Sequence, residues 1–231
     1  MAYTTEQFLA KFKKYCINDM KASGILASLT AAQGKIESNN GNSGLTTKCN
    51  NLFGIKGKYE GQSGKFWTTE YYNGVKTRIQ ADFRKYPTWQ ESVNDHSALF
   101  NRLQRYENLR NCQDYEEACV NVKKDGYATA PDYANTLKNF IKKNRLWMWD
   151  YEVLKLYSAN KLRTIRVGAD GGGVYLLQEL LRQNGYKLDL DGQFGGQTEY
   201  ALLLYQSSHR LAADGICGPK TWKALKKCGV L

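Results

Sequence analysis

The 231-residue sequence has few prolines, few histidines and no long apolar run, and each shortage excludes a class of protein. It contains 3 prolines and 21 glycines, too few for a collagen-like or low-complexity chain. Its longest apolar stretch, Tyr200 to Tyr205, is far shorter than a membrane-spanning helix requires, so no membrane insertion is expected. The first residues, MAYTTEQFLAKFKKYC, lack the apolar core of a signal peptide. We therefore expect a soluble protein that is made in the cytoplasm.

The supply of metal-binding side chains is also small. Only His96 and His209 are present, and none of the six cysteines forms a Cys-x-x-Cys pair. The sequence therefore predicts no metal site and no cofactor. The cysteines are interpreted as mostly reduced structural thiols, because no export signal is visible and the chain is long enough to fold without disulfides.

Basic residues exceed acidic ones, and the surplus is uneven along the chain. Lys and Arg number 33 against 22 Asp and Glu, a net charge of +11. Residues 1–150 carry 22 basic and 15 acidic side chains (+7), residues 151–166 carry 4 and 1 (+3), and residues 167–231 carry 7 and 6 (+1). This surplus suits a polyanionic partner. Nucleic acid is not the expected one, since the sequence shows no stripe of basic residues interleaved with aromatics.

Apolar spacing predicts a mainly α-helical chain with a small β-hairpin lobe. Residues 1–150 show helical periodicity on both sides of Asn73-Gly74, which is a strong signal for a two-residue hairpin turn. Residues 151–166 are basic and weakly periodic, so they are predicted to be a linker. Residues 167–231 contain two Asp-Gly-x-x-Gly-x-x-Thr-x-x-Ala-Leu copies, which start at Asp191 and Asp214, and predict a three-helix module.

Two carboxylates are the candidates for catalysis. Glu37 is predicted to lie in the last turn of a helix, where the negative end of the helix dipole should raise its pKa. In a hairpin that turns at Asn73-Gly74, Glu70 faces Thr77 on the apolar face of the two strands. One acid on a helix and one on a facing hairpin is the arrangement that glycoside hydrolysis uses.

Five motifs in the first region resemble those of a known enzyme family. They are AAQGKIESNNGNSGL, NNLFGIKG, TTE on the hairpin, FRKYPTWQESVNDH and GYATAPDYA, and they are similar to motifs of the endo-β-N-acetylglucosaminidases of glycoside hydrolase family 73. The resemblance implies a lysozyme-like fold and cleavage of the glycan strand of peptidoglycan. It implies that Glu37 is the catalytic acid, Glu70 the second carboxylate, and Tyr127 an aromatic residue that assists turnover. It further implies that substrate is bound by Asn50, Phe53, Gly54 and Tyr133.

The last region resembles a peptidoglycan-binding module in which two DG-x-x-G-x-x-T segments follow a V-x-x-L-Q helix. In that module we expect a wall-binding groove to which Gln178, Tyr205 and Trp222 contribute. With no signal peptide visible and only 231 residues, we expect a phage or prophage endolysin that acts on the bacterial wall after a partner holin releases it. Anionic wall polymers are a further expected partner of the basic surface.

Three alternatives remain open at this level. An N-acetylmuramidase or a lytic transglycosylase would cut the other glycosidic bond with the same fold. A non-catalytic wall-binding protein would bind the wall without lysing it.

Overall fold

The computed structural model of the chain describes residues 2–72 and 75–228, apart from the side chains of residues 70–72 and 228. Ten α-helices and one two-stranded antiparallel sheet are the main elements of this part, which confirms the predicted mainly α-helical chain with a hairpin lobe. The elements are α1 (Thr5–Ser23), α2 (Ala27–Ser38), α3 (Gly44–Cys49), β1 (Ser63–Tyr72), β2 (Val75–Arg84), α4 (Trp89–Arg102), α5 (Tyr115–Lys124), α6 (Tyr133–Lys143), α7 (Trp147–Leu154), α8 (Gly172–Gln183), α9 (Gly196–Ser208) and α10 (Pro219–Cys228).

Several helices begin at the residues that the sequence indicates. Thr4 forms a capping box with Gln7 ahead of α1, and Thr88 forms one with Glu91 ahead of α4. Asp114 caps α5 by accepting two backbone hydrogen bonds. These side chains satisfy N–H groups that the first turn of a helix leaves unpaired.

One helix differs from its prediction. The helical pattern after Pro131 predicts a single helix that ends near Trp147 to Asp150, whereas the structure has α6 and α7 in this stretch. The break lies at Arg145, whose φ of 49° is left-handed and therefore incompatible with a continuous right-handed helix.

The hairpin has the register that the sequence predicts. Strands β1 and β2 pair antiparallel, with Glu70 opposite Thr77 and Phe66 opposite Ala81. The predicted turn at Asn73-Gly74 lies outside the described residues.

Helix α2 runs through the centre of the first region and is almost entirely buried. Gly34 allows α1 to approach closely, because a Cβ at this position would lie 2.5 Å from the Phe12 ring. At the start of the helix, the Ser28 N–H donates to Asp150 Oδ1 at 2.9 Å. The helix ends at Asn39, which has the left-handed φ of 52° expected for this turn. Both ends of α2 are therefore fixed, and its last turn is presented at the surface.

In the C-terminal region, each copy of the repeat is held by a buried glutamine. Gln178 Oε1 accepts from the Gly192 N–H at 2.9 Å, and its Nε2 donates to Asp191 Oδ1 at 2.7 Å. Gln206 makes the same two bonds to the second Asp-Gly pair, both at 3.0 Å. The repeat in the sequence is thus a repeat of one hydrogen-bonded turn.

The two regions pack directly against each other through α7 and α8. Tyr151 Oη donates to Glu179 Oε2 at 2.7 Å, and the Tyr151 and Tyr175 rings are 4.8 Å apart. Gly172 lies against the backbone of α7: a Cβ there would be 2.6 Å from Tyr151 N and 2.8 Å from Trp147 O. The apolar core is consequently continuous across the two regions.

The segment 151–166, predicted to be a linker, contains the end of α7 and a short 3₁₀ helix at Ala159–Lys161. It is held by Gln113, whose Nε2 donates to Lys161 O at 2.7 Å and whose Oε1 accepts from the Arg163 N–H at 2.8 Å. The domain boundaries at 150 and 167 remain predictions.

Five cysteines are buried free thiols, in agreement with the expected structural role; they are Cys16, Cys49, Cys112, Cys119 and Cys217. Among the described residues, no helix combines the length and apolar character needed to cross a membrane.

Candidate active site

A groove of about 830 Å³ lies beside the C-terminal end of α2, and Glu37 forms part of its wall. Glu37 is in the last turn of α2, as predicted, and its side chain is exposed. The other walls come from the segment after α3, from α4 and from the residues that join α5 to α6. The residues that line the groove include Phe53, Gly54, His96, Tyr127 and Tyr133.

A chain of two hydrogen bonds leads to the Glu37 carboxyl group. Gln33 Nε2 donates to Tyr133 Oη at 3.2 Å, and Tyr133 Oη donates to Glu37 Oε1 at 3.0 Å. The surrounding protein displaces water and raises the pKa of Glu37, while the bond from Tyr133 opposes this rise. The sequence predicts the same direction from the helix dipole, whereas in the structure the loss of water around the carboxyl group is the main cause of the raised pKa. Glu37 therefore keeps its proton to a higher pH than an ordinary glutamate, as a general acid must.

Aromatic side chains form the groove wall next to Glu37. The rings of Tyr127 and Tyr133 stack at 6.0 Å between centroids, with an interplanar angle of 29°. Phe53 and Gly54 line the groove, and Gly54 has a φ of +66° that favours glycine. Their role in substrate binding stays a prediction. The structure thus brings four of the predicted residues to the groove that holds Glu37. Flat apolar surfaces of this kind suit the faces of sugar rings.

His96 belongs to this wall, although the sequence analysis did not single it out. Its ring stacks on Phe53 at 3.8 Å and is fully buried. Burial lowers the pKa of His96 to about 3, so the imidazole is neutral. Neither ring nitrogen has a hydrogen-bond partner among the described residues. Its place at the end of the FRKYPTWQESVNDH motif is the signal that could have identified it.

The base of the hairpin is joined to α4 beside the groove. Arg84 Nη1 lies 2.6 Å from Asp95 Oδ2, and Tyr86 Oη donates to the same oxygen at 2.6 Å. These bonds fix the end of β2 and therefore the direction in which the hairpin leaves the core. Glu70 is placed by its backbone pairing in β1, and its side chain lies outside the described residues. The role of Glu70 stays a prediction.

Asn50, predicted to form part of the cleft wall, has a different environment. It ends α3 with a left-handed φ of 51°. Its Nδ2 donates to Tyr86 O and Pro87 O, both at 3.0 Å. Asn50 therefore stabilises the loop that supports the groove and directs its side chain to backbone rather than to a ligand.

The three side chains proposed for wall binding lie in the core of the C-terminal region. Gln178, Tyr205 and Trp222 are each at most 1% exposed. Trp222 Nε1 donates to Arg163 O at 2.9 Å, and Gln178 holds the first Asp-Gly turn. They stabilise the module, and the structure brings none of them to a surface groove. Sequence patterns cannot separate such residues from ligand contacts, because core positions are as recognisable as binding positions.

The chemistry available in the groove is proton transfer. Glu37 can donate a proton to a bound molecule, and the neighbouring phenols and imidazole are neutral, since burial raises the pKa of Tyr127 and Tyr133. In the part of the chain that the structure describes, no group of three His, Cys, Asp or Glu side chains is placed to hold a metal ion.

Comparisons with known proteins give the family. The model of the family described as mannosyl-glycoprotein endo-beta-N-acetylglucosaminidase matches residues 13–146, and that of a putative peptidoglycan binding domain matches residues 170–225. Exo-glucosaminidase LytG of Bacillus subtilis is 40% identical over 131 residues, which cover 54% of this chain and 46% of LytG. Peptidoglycan hydrolase FlgJ of Salmonella typhimurium is 32% identical over 162 residues, which cover 68% of this chain and 51% of FlgJ.

The fold agrees with these matches. The catalytic domain of the autolysin Auto from Listeria monocytogenes has a TM-score of 0.60 at 30% identity, and the match covers 64% of this chain and 90% of that domain. The chain spans about half the length of LytG and of FlgJ. The first family match covers more than half of the 231 residues, and it confirms the resemblance that the five motifs indicate. The chain belongs to the glucosaminidase family and carries a C-terminal peptidoglycan-binding domain.

Proposed function

We propose that the chain is a peptidoglycan hydrolase that cuts the glycan strand as an endo-β-N-acetylglucosaminidase, with Glu37 as the general acid. The observation that supports this most directly is the Glu37 carboxyl group, which is exposed in the groove and has a raised pKa. A general acid needs both properties, because it must reach the substrate and still hold a proton. The similar protein FlgJ is named a peptidoglycan hydrolase and LytG an exo-glucosaminidase, which supports this substrate and this type of bond cleavage.

The proposed reaction begins with proton transfer from Glu37 to the glycosidic oxygen. The bond between that oxygen and the anomeric carbon breaks, and its electron pair passes to the oxygen. Water then adds to the anomeric carbon and loses a proton. Glu70 has two alternative roles here: it takes the proton from water, or it stabilises the transition state while the substrate's acetamido group attacks the anomeric carbon.

The C-terminal domain is proposed to hold the enzyme on its polymeric substrate. Binding to the wall raises the local concentration of glycan strands at the groove. Because α8 packs on α7, the binding domain keeps a fixed orientation to the groove. Binding of the C-terminal domain to the wall would therefore bring the glycan strand to the groove in one orientation.

The decisive experiment is analysis of the sugar ends that the purified protein creates. Peptidoglycan is digested, reduced with borohydride and examined by mass spectrometry, with Glu37→Gln alongside and Glu6→Gln as a control at an exposed glutamate outside the groove. Reduced N-acetylglucosamine ends that disappear only in Glu37→Gln would support the proposal. Large early fragments indicate internal cleavage, whereas small products released from strand ends would indicate an exo-enzyme, as LytG is named.

Other sugar ends would contradict the proposed activity and support a different one. Reduced muramic acid ends would mean a muramidase, and anhydro-muramic ends would mean a lytic transglycosylase. Absence of new ends, with wall binding intact, would leave a non-catalytic wall-binding protein.

Three further parts of the proposal concern the cell. Anionic wall polymers would bind the basic first region, and wall binding that weakens steeply with added salt would support this.

Synthesis in a host cytoplasm and release by a holin are tested by expressing the chain with and without a co-expressed holin. Lysis that occurs equally in both cultures would contradict release by the holin.

A further inference from the structure

Gln33 is a buried polar residue one helical turn before Glu37. It is completely inaccessible to solvent, and its Nε2 donates to Tyr133 Oη at 3.2 Å. Its Oε1 has no hydrogen-bond partner among the described residues. Burying an amide with one unpaired oxygen is costly, so the bond to Tyr133 is the interaction that accounts for a glutamine here.

The donor and acceptor roles fix the direction of the whole chain of bonds. An amide N–H can only donate, so the Tyr133 oxygen accepts from Gln33. The phenol has a single hydrogen, which must then point to Glu37 Oε1, 3.0 Å away. In a carboxylic acid the carbonyl oxygen is the stronger acceptor, so a hydrogen bond donated to Oε1 favours protonation of the other oxygen. The proton of the acid form therefore resides on Glu37 Oε2.

We propose that Gln33 is a positioning residue that orients the Tyr133 hydroxyl toward Glu37 Oε1 and thereby places the transferable proton on Oε2, where substrate can take it. This inference rests on the proposed function only in that the proton on Oε2 is the one that passes to substrate. The order of the hydrogen bonds can be tested without any activity.

The other charged and titratable groups that line the groove are phenols, one imidazole and basic side chains. They are Tyr106, Tyr127, Tyr133, His96, Lys56, Arg84 and Arg105. The phenols have raised pKa values and stay neutral, and the pKa of His96 is lowered to about 3. Lys56, Arg84 and Arg105 are the basic side chains of the lining, and Glu37 is the one carboxyl group among the described residues that line the groove.

The test is a direct NMR titration of the Glu37 carboxyl carbon in the full-length protein, assigned with Glu37→Gln. A hydrogen bond donated to a carboxylate lowers its pKa, so weakening that bond must raise it. Gln33→Met should raise the Glu37 pKa by about 0.5 to 1 pH unit. Tyr133→Phe should raise it at least as much, and the double variant should match Tyr133→Phe alone, because Gln33 acts through Tyr133. The alkaline limb of the pH–activity curve should move by the same amount.

A matched control comes from the same helix. Thr30 is buried like Gln33, and its hydroxyl has no partner among the described residues, so Thr30→Val should leave the Glu37 titration unchanged. Gln33→Leu serves as a second variant if Gln33→Met does not fold.

Three results would overturn the inference. An unchanged titration would mean that Gln33 only fills space, and additive shifts in the double variant would mean that it does not act through Tyr133. A lowered pKa in Gln33→Met would mean that the amide is reversed, with Oε1 accepting the Tyr133 proton. The Glu37 pKa could shift as expected in Gln33→Met while Glu37→Gln keeps full activity. In that case the proposed function fails and the order of the hydrogen bonds from Gln33 through Tyr133 to Glu37 stands.

Discussion

Tyr151 Oη donates a hydrogen bond to Glu179 Oε2 at 2.7 Å. This bond joins α7, which follows the glucosaminidase region, to α8, the first helix of the peptidoglycan-binding region. The bond lies next to the Tyr151 and Tyr175 rings and to the contact of Gly172 with the α7 backbone. An interface whose apolar core is continuous with that of both regions does not behave as a flexible tether. We therefore expect the two regions to unfold together.

The contact at Gly172 gives the first prediction. Gly172→Ala should destabilise the protein by about 1–3 kcal/mol, because the new Cβ would overlap backbone atoms of Tyr151 and Trp147 that cannot move aside. Thermal unfolding followed by calorimetry measures this, and the single wild-type transition should broaden or split.

The neighbouring glycine is the control. A Cβ at Gly173 would meet only Gln113 O, at 3.9 Å, so Gly173→Ala should be neutral or stabilise the helix by up to about 1 kcal/mol. Equal effects of the two substitutions would contradict close packing between α7 and α8.

The second prediction concerns the pH dependence of activity. As the proposed general acid, Glu37 must be protonated to act, so hydrolysis should fall as pH rises through its raised pKa, above the value of about 4.3 for an ordinary glutamate. The pH–rate profile on peptidoglycan measures this limb. An aryl glycoside whose leaving group needs no protonation should lack the limb, and a limb of the same height with that substrate would assign it to another group.

The third prediction concerns the pH dependence of stability. Burial raises the pKa of Asp19 to about 6 and that of Asp150 to about 7, from an ordinary value near 3.8. The folded state therefore binds protons more tightly than the unfolded state. The resulting stabilisation is complete below about pH 4 and is lost as pH rises through 6 and 7. Urea unfolding between pH 5 and 8 should show this decline.

Asparagine substitution isolates the two carboxyls. The double variant of Asp19→Asn and Asp150→Asn should lose the decline between pH 5 and 8, since neither amide titrates. Asp150→Ala should instead cost about 1–3 kcal/mol below about pH 5, because it leaves the Ser28 N–H at the start of α2 without its partner. This cost should shrink as the pH rises through 7, because the wild type then loses the stabilisation from protonated Asp150. A decline that persists unchanged in the double variant would assign it to other groups.

The fourth prediction concerns the repeated glutamines. Gln178→Leu and Gln206→Leu should each destabilise the C-terminal domain by about 1–3 kcal/mol, because each leaves the buried glycine N–H of an Asp-Gly turn without its acceptor. Hydrogen exchange at the Gly192 and Gly215 amides reports the loss locally. Normal protection with reduced wall binding would mean that these glutamines contact ligand after all.

Local features of this protein were determined by its sequence. Capping by Thr4 and Thr88, the register that places Glu70 opposite Thr77, and the left-handed end of α2 at Asn39 depend on residues close in the chain. Their hydrogen bonds and backbone preferences act over a few residues, and pattern reasoning can therefore find them. The five motifs that indicate the family are likewise short stretches of consecutive residues, which a sequence pattern can reveal.

The features that only the tertiary structure decided join residues distant in sequence. The bond from Tyr133 to Glu37 spans 96 positions, and the stacking of His96 on Phe53 joins α4 to the segment after α3. Whether Asn50 and Trp222 face a ligand, a backbone carbonyl or the core was likewise settled by packing. Burial and desolvation arise only when such segments meet, so the sequence pattern did not reveal that loss of water raises the pKa of Glu37 or that His96 stacks on Phe53.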